Sequence, residues 1–176
     1  MFIISPKDET ISNVKQQIIQ AAIQLFAEKG YYKTTTANIA NAVGVTQPYV
    51  FHFFSNKEQL YLAVLEQAIQ RVFQTFMNVE APSDNLKEAM SQAFNDLLFS
   101  HRNEILVTMM AYTIPEPTIR DVVRKGFDQV YEQLKMKFMQ AGYSEASREA
   151  KIFIGEGLLI SLSETIQLEK LLPWHP

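Results

Sequence analysis

Apolar residues in this chain recur every three or four positions almost from end to end. That period places them on one face of a helix, whereas a half-buried strand needs a period of two. No alternating run bounded by Asn-Gly or Asp-Gly turns occurs, so strand signals are nearly absent and the fold class reads as all-α. A first helix is predicted over 13–29. Val14, Ile18, Ala22, Leu25 and Phe26 share its apolar face, and Gly30 follows as a C′ residue able to take the left-handed cap.

A cluster of short helices comes next. Thr35 or Thr36 can cap one that ends near Val43, and Gly44 makes the turn. Thr46 can cap the next, with Pro48 tolerated in its first turn, where amides have no intrahelical partner. Ser55-Asn56-Lys57-Glu58 fits a capping box that opens a long helix to about Asn78. Two adjacent apolar rows run along that helix, Leu60, Val64, Ala68, Val72 and Phe76 beside Tyr61, Leu65, Ile69, Phe73 and Met77. So wide a face predicts a connector packed on both sides.

Ala81-Pro82-Ser83 ends the long helix. Further helices are predicted near 84–100 and 103–113 and, after a break at Pro115-Glu116-Pro117, near 118–141 and 145–170, with Gly142 between the last two. Val122, Gly126, Val130, Leu134 and Phe138 form a row on one. Ala146, Ala150, Ile154, Leu158, Leu162 and Ile166 form a row on the other, and Gly157 and Ser161 lie near it. The run Ile152–Leu162 is apolar on nearly all sides apart from Glu156, so it must be covered all round, and a partner subunit could supply the missing cover.

With 176 residues, 47% of them hydrophobic, the chain can build a real core. It has no cysteine, which excludes disulfides and thiolate metal sites. His52, His101 and His175 do not cluster, and there is no metal-ligand spacing, phosphate loop or nucleophile–base pair. No catalytic residue, metal or cofactor is expected. The apolar start at residues 1–6 is too short for a signal sequence, and Ile152–Leu162 falls well short of the ~20 residues of a membrane span. A soluble, cytoplasmic protein is therefore expected. The net charge of −3 is uneven: up to residue 60 five lysines face four carboxylates, a net of +1, which leaves −4 for the rest.

Two short helices joined by a tight glycine turn describe a helix-turn-helix over residues 36–54. In that unit the second helix, here about Gln47–Phe53, enters the major groove. Ile39, Ala40, Val43, Val45 and Val50 have the spacing to pack the two helices together, which leaves Gln47, Tyr49 and His52 outward. Glutamine can bond adenine bidentately, tyrosine offers a hydroxyl for phosphate and a ring for a thymine methyl, and histidine can donate to phosphate. Thr35 and Thr36 stand at a helix N-terminus, which suits a phosphate, and Lys57 can reach the DNA backbone as a point charge. Phe51 and Phe53 are expected to pack, one or both. An ordinary helical hairpin is the alternative for these elements.

Gly30-Tyr31, Thr34-Thr35, Ile39-Ala40, Ala42-Val43-Gly44-Val45-Thr46, Phe51-His52-Phe53-Phe54 and Lys57-Glu58-Gln59-Leu60 resemble, in order and spacing, the N-terminal domain of TetR/AcrR regulators over roughly residues 14–66. The resemblance implies an N-terminal three-helix unit that reads a palindromic DNA operator. It further implies C-terminal helices that bind a small-molecule inducer and a homodimer built from the last two long helices. Carried over by position, Thr35, Thr36, Thr46, Gln47, Tyr49, Phe51, His52 and Lys57 would face DNA. Phe51 stands where many members have tyrosine, and Gln47-Pro48-Tyr49 replaces a commoner basic-Gly-small triplet, so an operator sequence does not carry over.

The domains expected are 1–57 for DNA binding and 58–176 for effector binding and dimerisation. Phe73, Met77, Phe94, Met109, Tyr112 and Phe127 read either as the walls of a pocket for a small apolar effector or as ordinary core. Val130, Leu134, Gly157, Leu158 and Ser161 are the expected dimer interface. His101, Arg102 and Glu104 read as solvated loop residues. Glu156 reads as the wet edge of its helix or, alternatively, as a ligand or interface contact. The function expected is a repressor released from its operator by ligand; the alternative is a dimeric DNA-binding protein with no inducer.

Overall fold

The computed structural model describes residues 6–172, with side chains from residue 11 onward; His175 and the apolar start at 1–5 lie outside the described residues. Among the described residues there are eight α-helices and no strand: α1 (Pro6–Lys33), α2 (Thr36–Val43), α3 (Gln47–Phe53), α4 (Lys57–Met77), α5 (Leu86–Ser100), α6 (Arg102–Ala111), α7 (Pro117–Gln140) and α8 (Ala146–Ile166). The chain divides into two compact units, Met1–Leu65 and Glu66–Pro176, so the division falls inside α4.

In the first unit α1 starts at Pro6, ahead of the expected Asn13, because proline is at home in the first helical position. Gly30 has positive φ as expected, but its φ of 76° and ψ of 169° kink the helix rather than cap it, and helical turns resume to Lys33. The Thr34 hydroxyl donates to the carbonyls of Leu25 and Gly30 at 3.0 and 2.9 Å, which satisfies groups that the kink releases. Thr35, not Thr36, caps α2: its hydroxyl accepts from the Asn38 N–H, and the Asn38 side chain accepts from the Thr35 N–H. Gly44 then turns the chain at φ 77° and ψ 27°, a left-handed geometry that costs any other residue a Cβ clash. At α4 the cap is Asn56 instead of Ser55. The helix begins one residue later than the Ser55 box requires, so the Gln59 N–H meets Asn56 Oδ1 at 2.8 Å.

The unit's core joins Ile18, Ala22 and Phe26 of α1, Ile39 and Ala40 of α2, Val50 of α3 and Leu60, Tyr61 and Val64 of α4. Tyr61 packs edge-on against Phe26 and Tyr31, with ring centroids 4.8 and 4.9 Å apart. Burial, reinforced by Tyr31, drives the Tyr61 phenol well above its ordinary range.

In the second unit α7 packs along α8, the shorter α6 meets both, and α5 meets α6 and α8. Phe76, Met90, Phe94, Leu134, Phe138 and Phe153 lie in its core. The helix expected to reach residue 170 ends at Ile166. Gln167 takes a left-handed conformation (φ 56°, ψ 47°), and the Leu168 N–H returns to the Ser163 carbonyl. The row at every fourth residue of α8 starts buried at Ala146 and Ala150 and emerges into solvent at Leu158, Leu162 and Ile166. Geometry explains this, since steps of four advance the row by roughly 40° around the axis each time.

The aromatic cluster in the first unit generates a stability prediction. Phe26→Ala should lower the unfolding free energy by about 3–5 kcal/mol, read from the denaturant midpoint, because a fully buried ring leaves a cavity among Tyr31 and Tyr61.

Candidate nucleic-acid interface

α2 packs on α1, and α3 packs on α2 through Ile39, Ala40 and Val50, while Val43 and Val45 are half-buried at its edge. That packing leaves one side of α3 in solvent. Gln47, Tyr49 and His52 are exposed on it, as expected. The Tyr49 and His52 rings stack at 6.1 Å with planes 11° apart, and Phe53 braces Tyr49 edge-on at 5.4 Å. Of Phe51 and Phe53, one or both expected to pack, Phe53 is half-buried and Phe51 is 42% exposed, while Phe54 is buried. α3 turns only one residue in seven fully inward, so a second ring had no interior to enter.

The threonines differ. Thr35 is exposed, but its hydroxyl is engaged by Asn38 as the cap of α2. Thr36 is only 7% exposed, and its hydroxyl accepts a 2.8 Å hydrogen bond from Gln47 Nε2. Thr46 is exposed at the N-cap of α3 and makes no side-chain capping bond. Lys57 is half-buried: its ammonium donates to the Tyr31 carbonyl at 2.9 Å and sits 4.3 Å from the Tyr31 ring centre. A further signal lies in the sequence itself: no Asp or Glu occurs between Lys29 and Lys57. The whole helix-turn-helix therefore presents no carboxylate to repel phosphate, although α3 lacks Lys and Arg.

The sequence pattern described as bacterial regulatory proteins, tetR family, matches residues 18–64, which are the elements that build this surface. Residues 18–64 carry a TetR-family DNA-binding domain. It is 31% identical over 108 residues to the HTH-type transcriptional regulator YerO of Bacillus subtilis, a match covering 58% of this chain and 37% of that protein. It is 23% identical over 171 residues to the nucleoid occlusion factor SlmA of Glaesserella parasuis, covering 92% of this chain and 83% of SlmA. Among solved structures, a regulator from Saccharomonospora viridis in complex with choline superposes with a TM-score of 0.77 at 17% identity, covering 92% of this chain and 90% of that one. The last likeness concerns the fold.

In the second unit, a cavity of about 90 Å³ opens among α4 to α8. Four of the six expected pocket residues, Phe94, Met109, Tyr112 and Phe127, line it, whereas Phe73 and Met77 do not. Four of the five expected interface residues, Val130, Gly157, Leu158 and Ser161, line it as well. Leu134 and Ser161 are buried inside the unit, Gly157 is half-buried near Phe94, and Leu158 is exposed. The lining carries no carboxylate or cation. Its polar groups are Thr108, Ser161 and Tyr112, and the first two hydroxyls donate to helix carbonyls. Tyr112 keeps 40% of its surface exposed, yet burial of part of the side chain pushes its phenol up to about 12.

Of the two glutamates singled out, one lies as expected on a wet edge and the other does not. Glu156 is exposed. Glu104, expected in a solvated loop, is 4% exposed on α6, where it accepts from Arg71 Nε at 2.6 Å and Gln67 Nε2 at 3.1 Å. Its neighbour Arg102 is exposed and donates to the Glu164 carbonyl, while His101 is half-buried beside the Ser100 hydroxyl. Among the described residues no group of His, Cys, Asp and Glu could hold a metal ion, and no helix is long and apolar enough to cross a membrane.

Removing Arg71 strands a buried carboxylate, whereas removing Glu104 leaves an arginine free to turn to water. Arg71→Leu should therefore cost about 3–5 kcal/mol in a chemical melt and Glu104→Leu distinctly less. Tyr112 gives a pH prediction. Its folded value lies above the ordinary 10.0, so its contribution is complete below pH 10 and is lost as pH rises through about 12. Stability measured by denaturant titration should fall over that window, and Tyr112→Phe should make the fall shallower.

Proposed function

We propose that the chain is a DNA-binding transcriptional regulator that places α3 in the major groove of an operator, with Tyr49, His52 and Gln47 toward the DNA and Thr46, Thr35 and Lys57 toward its backbone. The observation that carries this is the solvent-facing side of α3. It consists of a stacked Tyr49–His52 pair and an amide, on a surface without carboxylates, in a family-defining helix-turn-helix. Thr36 and Phe51 fit this arrangement less directly, the one being buried and the other lacking a polar atom. The protein acts as a homodimer on a palindromic site. Support comes from α8, where Ile152, Gly155, Leu159, Leu162 and Ile166 follow heptad-like steps of three and four and all face solvent. That stripe serves as the interface better than the cavity-lining side of the same helix.

A small apolar effector fits the second unit's cavity, whose walls offer hydrocarbon and three hydroxyls but no counter-charge. α4 contributes Ile69, Val72 and Phe76 to that cavity and Leu60, Tyr61 and Val64 to the core of the first unit. A ligand that prefers a different setting of α4 would then weaken operator binding and so relieve repression. It acts only through differential affinity for the two states. The cavity's size favours a second possibility, regulation without an inducer: about 90 Å³ is smaller than the roughly 150 Å³ cavity that takes benzene. The relative SlmA is itself named a nucleoid occlusion factor rather than a ligand-responsive repressor. A dye-displacement screen with small apolar compounds separates the two.

The direct test is a salt-titrated gel shift with DNA upstream of the protein's own gene, followed, if that DNA is not bound, by selection from random duplexes. A specific shift with a two-fold symmetric footprint is expected, and Tyr49→Ala should weaken it by about tenfold, the loss of one phosphate hydrogen bond. A folded protein that selects no sequence would refute DNA binding. Leu159→Arg should convert the protein to monomer in sedimentation velocity, and a dimeric, folded Leu159→Arg variant would remove α8 from the interface.

A further inference from the structure

Gln47 Nε2 donates to Thr36 Oγ1 at 2.8 Å, and no other polar side chain of α2 reaches across the turn to α3 in this way. Thr36 is 7% exposed at the first position of α2, so its hydroxyl is too deeply set to meet DNA itself. Gln47 is exposed at the first position of α3, where a recognition helix meets base edges. A primary amide has two N–H donors and one carbonyl acceptor. The bond to Thr36 uses one donor and leaves the second donor and Oε1 to pair with a base. One acceptor and one donor side by side match the N6 amino group and N7 of adenine in the major groove.

An unanchored glutamine amide can turn over and exchange its donor and acceptor edges. Turned over, or used through one edge at a time, it can accept from cytosine N4 or donate to guanine O6, and so it discriminates poorly. An amide held by a fixed hydroxyl keeps Oε1 on one side. We infer that Thr36 is a positioning residue for sequence specificity, orienting Gln47 so that each half-site is read as adenine at one position. This rests on the DNA-binding function proposed for α3. It assigns base choice to a buried threonine that touches no nucleotide.

The test is selection from random-sequence duplex DNA with the full-length protein and three variants, scoring base preference position by position in each half-site. Wild type should enrich adenine at one symmetric position, and Gln47→Ala should abolish that preference. Thr36→Val, nearly isosteric and suited to a buried place, should cut it about three- to tenfold, the worth of one neutral hydrogen bond, and leave the other positions unchanged. Thr36→Ser, which restores the hydroxyl, should recover it. A merely structural role would lower affinity at every position alike and would not distinguish serine from valine. The inference is overturned if Thr36→Val keeps the full adenine preference, if Thr36→Ser fails to restore it, or if Gln47→Ala retains it. Should Thr36→Val melt early, the Gln47→Ala and Thr36→Ser arms still decide. A folded wild type that enriches no sequence overturns both the inference and DNA binding, whereas an enriched site indifferent to Thr36 overturns the inference alone.

Discussion

The recognition surface depends on three aromatic rings. Tyr61 of α4 is wedged edge-on between Phe26 and Tyr31 of α1, and this contact fixes where α4 begins relative to the kink at Gly30. Lys57, one turn earlier on α4, thereby comes over the Tyr31 ring and within reach of its carbonyl. Thr34, buried just past the kink, closes the carbonyls that the kink frees. The chain can then afford an abrupt sequence of turns, because each orphaned backbone group finds a side chain or a capping amide. A hydrophobic contact sets the frame, and local hydrogen bonds make the short helices of the turn possible inside it.

That economy shapes how the surface can bind. Of the three threonines expected to face DNA, Thr35 is committed to its cap and Thr36 to Gln47, while Thr46 makes no capping bond. α3 has no Lys or Arg, and Lys57 is held by Tyr31 until something displaces it. Few ion pairs per subunit imply few released counterions and a shallow dependence on salt. On the DNA-binding function proposed for α3, affinity would then draw on two subunits together and on ordered polar groups, so an oriented amide would matter more here than in a lysine-rich helix.

The helices and the turn were legible because they rest on local rules: period, proline in a first turn, and glycine where φ is positive. α3 was expected at Gln47–Phe53 and runs over those residues. What the sequence concealed was direction. Asn56 and Ser55 are comparable caps, and the structure takes Asn56, whose Oδ1 meets the Gln59 N–H. Glu156, in the most apolar run, faces water, while Glu104, amid polar neighbours, is buried, because its partner Arg71 lies 33 positions earlier on another helix. No window along the chain contains that pair. Leu134 and Leu158 both belong to tidy apolar rows, yet one is sealed in the core and the other is exposed, since a row stepped by four winds around its helix.

The same winding bears on how a cavity so small could signal. Its walls are unequal. A Cβ at Gly126 of α7 would come within 2.7 Å of Ile69 Cδ1 on α4, so that side has no slack. A Cβ at Gly157 of α8 would meet Phe94 only at 3.6 Å, an ordinary contact. A guest larger than about 90 Å³ must displace something, and close-packed walls move as units rather than compress. The Phe94 side can absorb a shift by turning a ring. The Ile69 side is the tighter one, and its helix α4 is tied to α6 by the Arg71–Glu104 pair. A guest there would therefore press on α4 as well as on Phe94. The cost of opening would be subtracted from the ligand's apparent affinity.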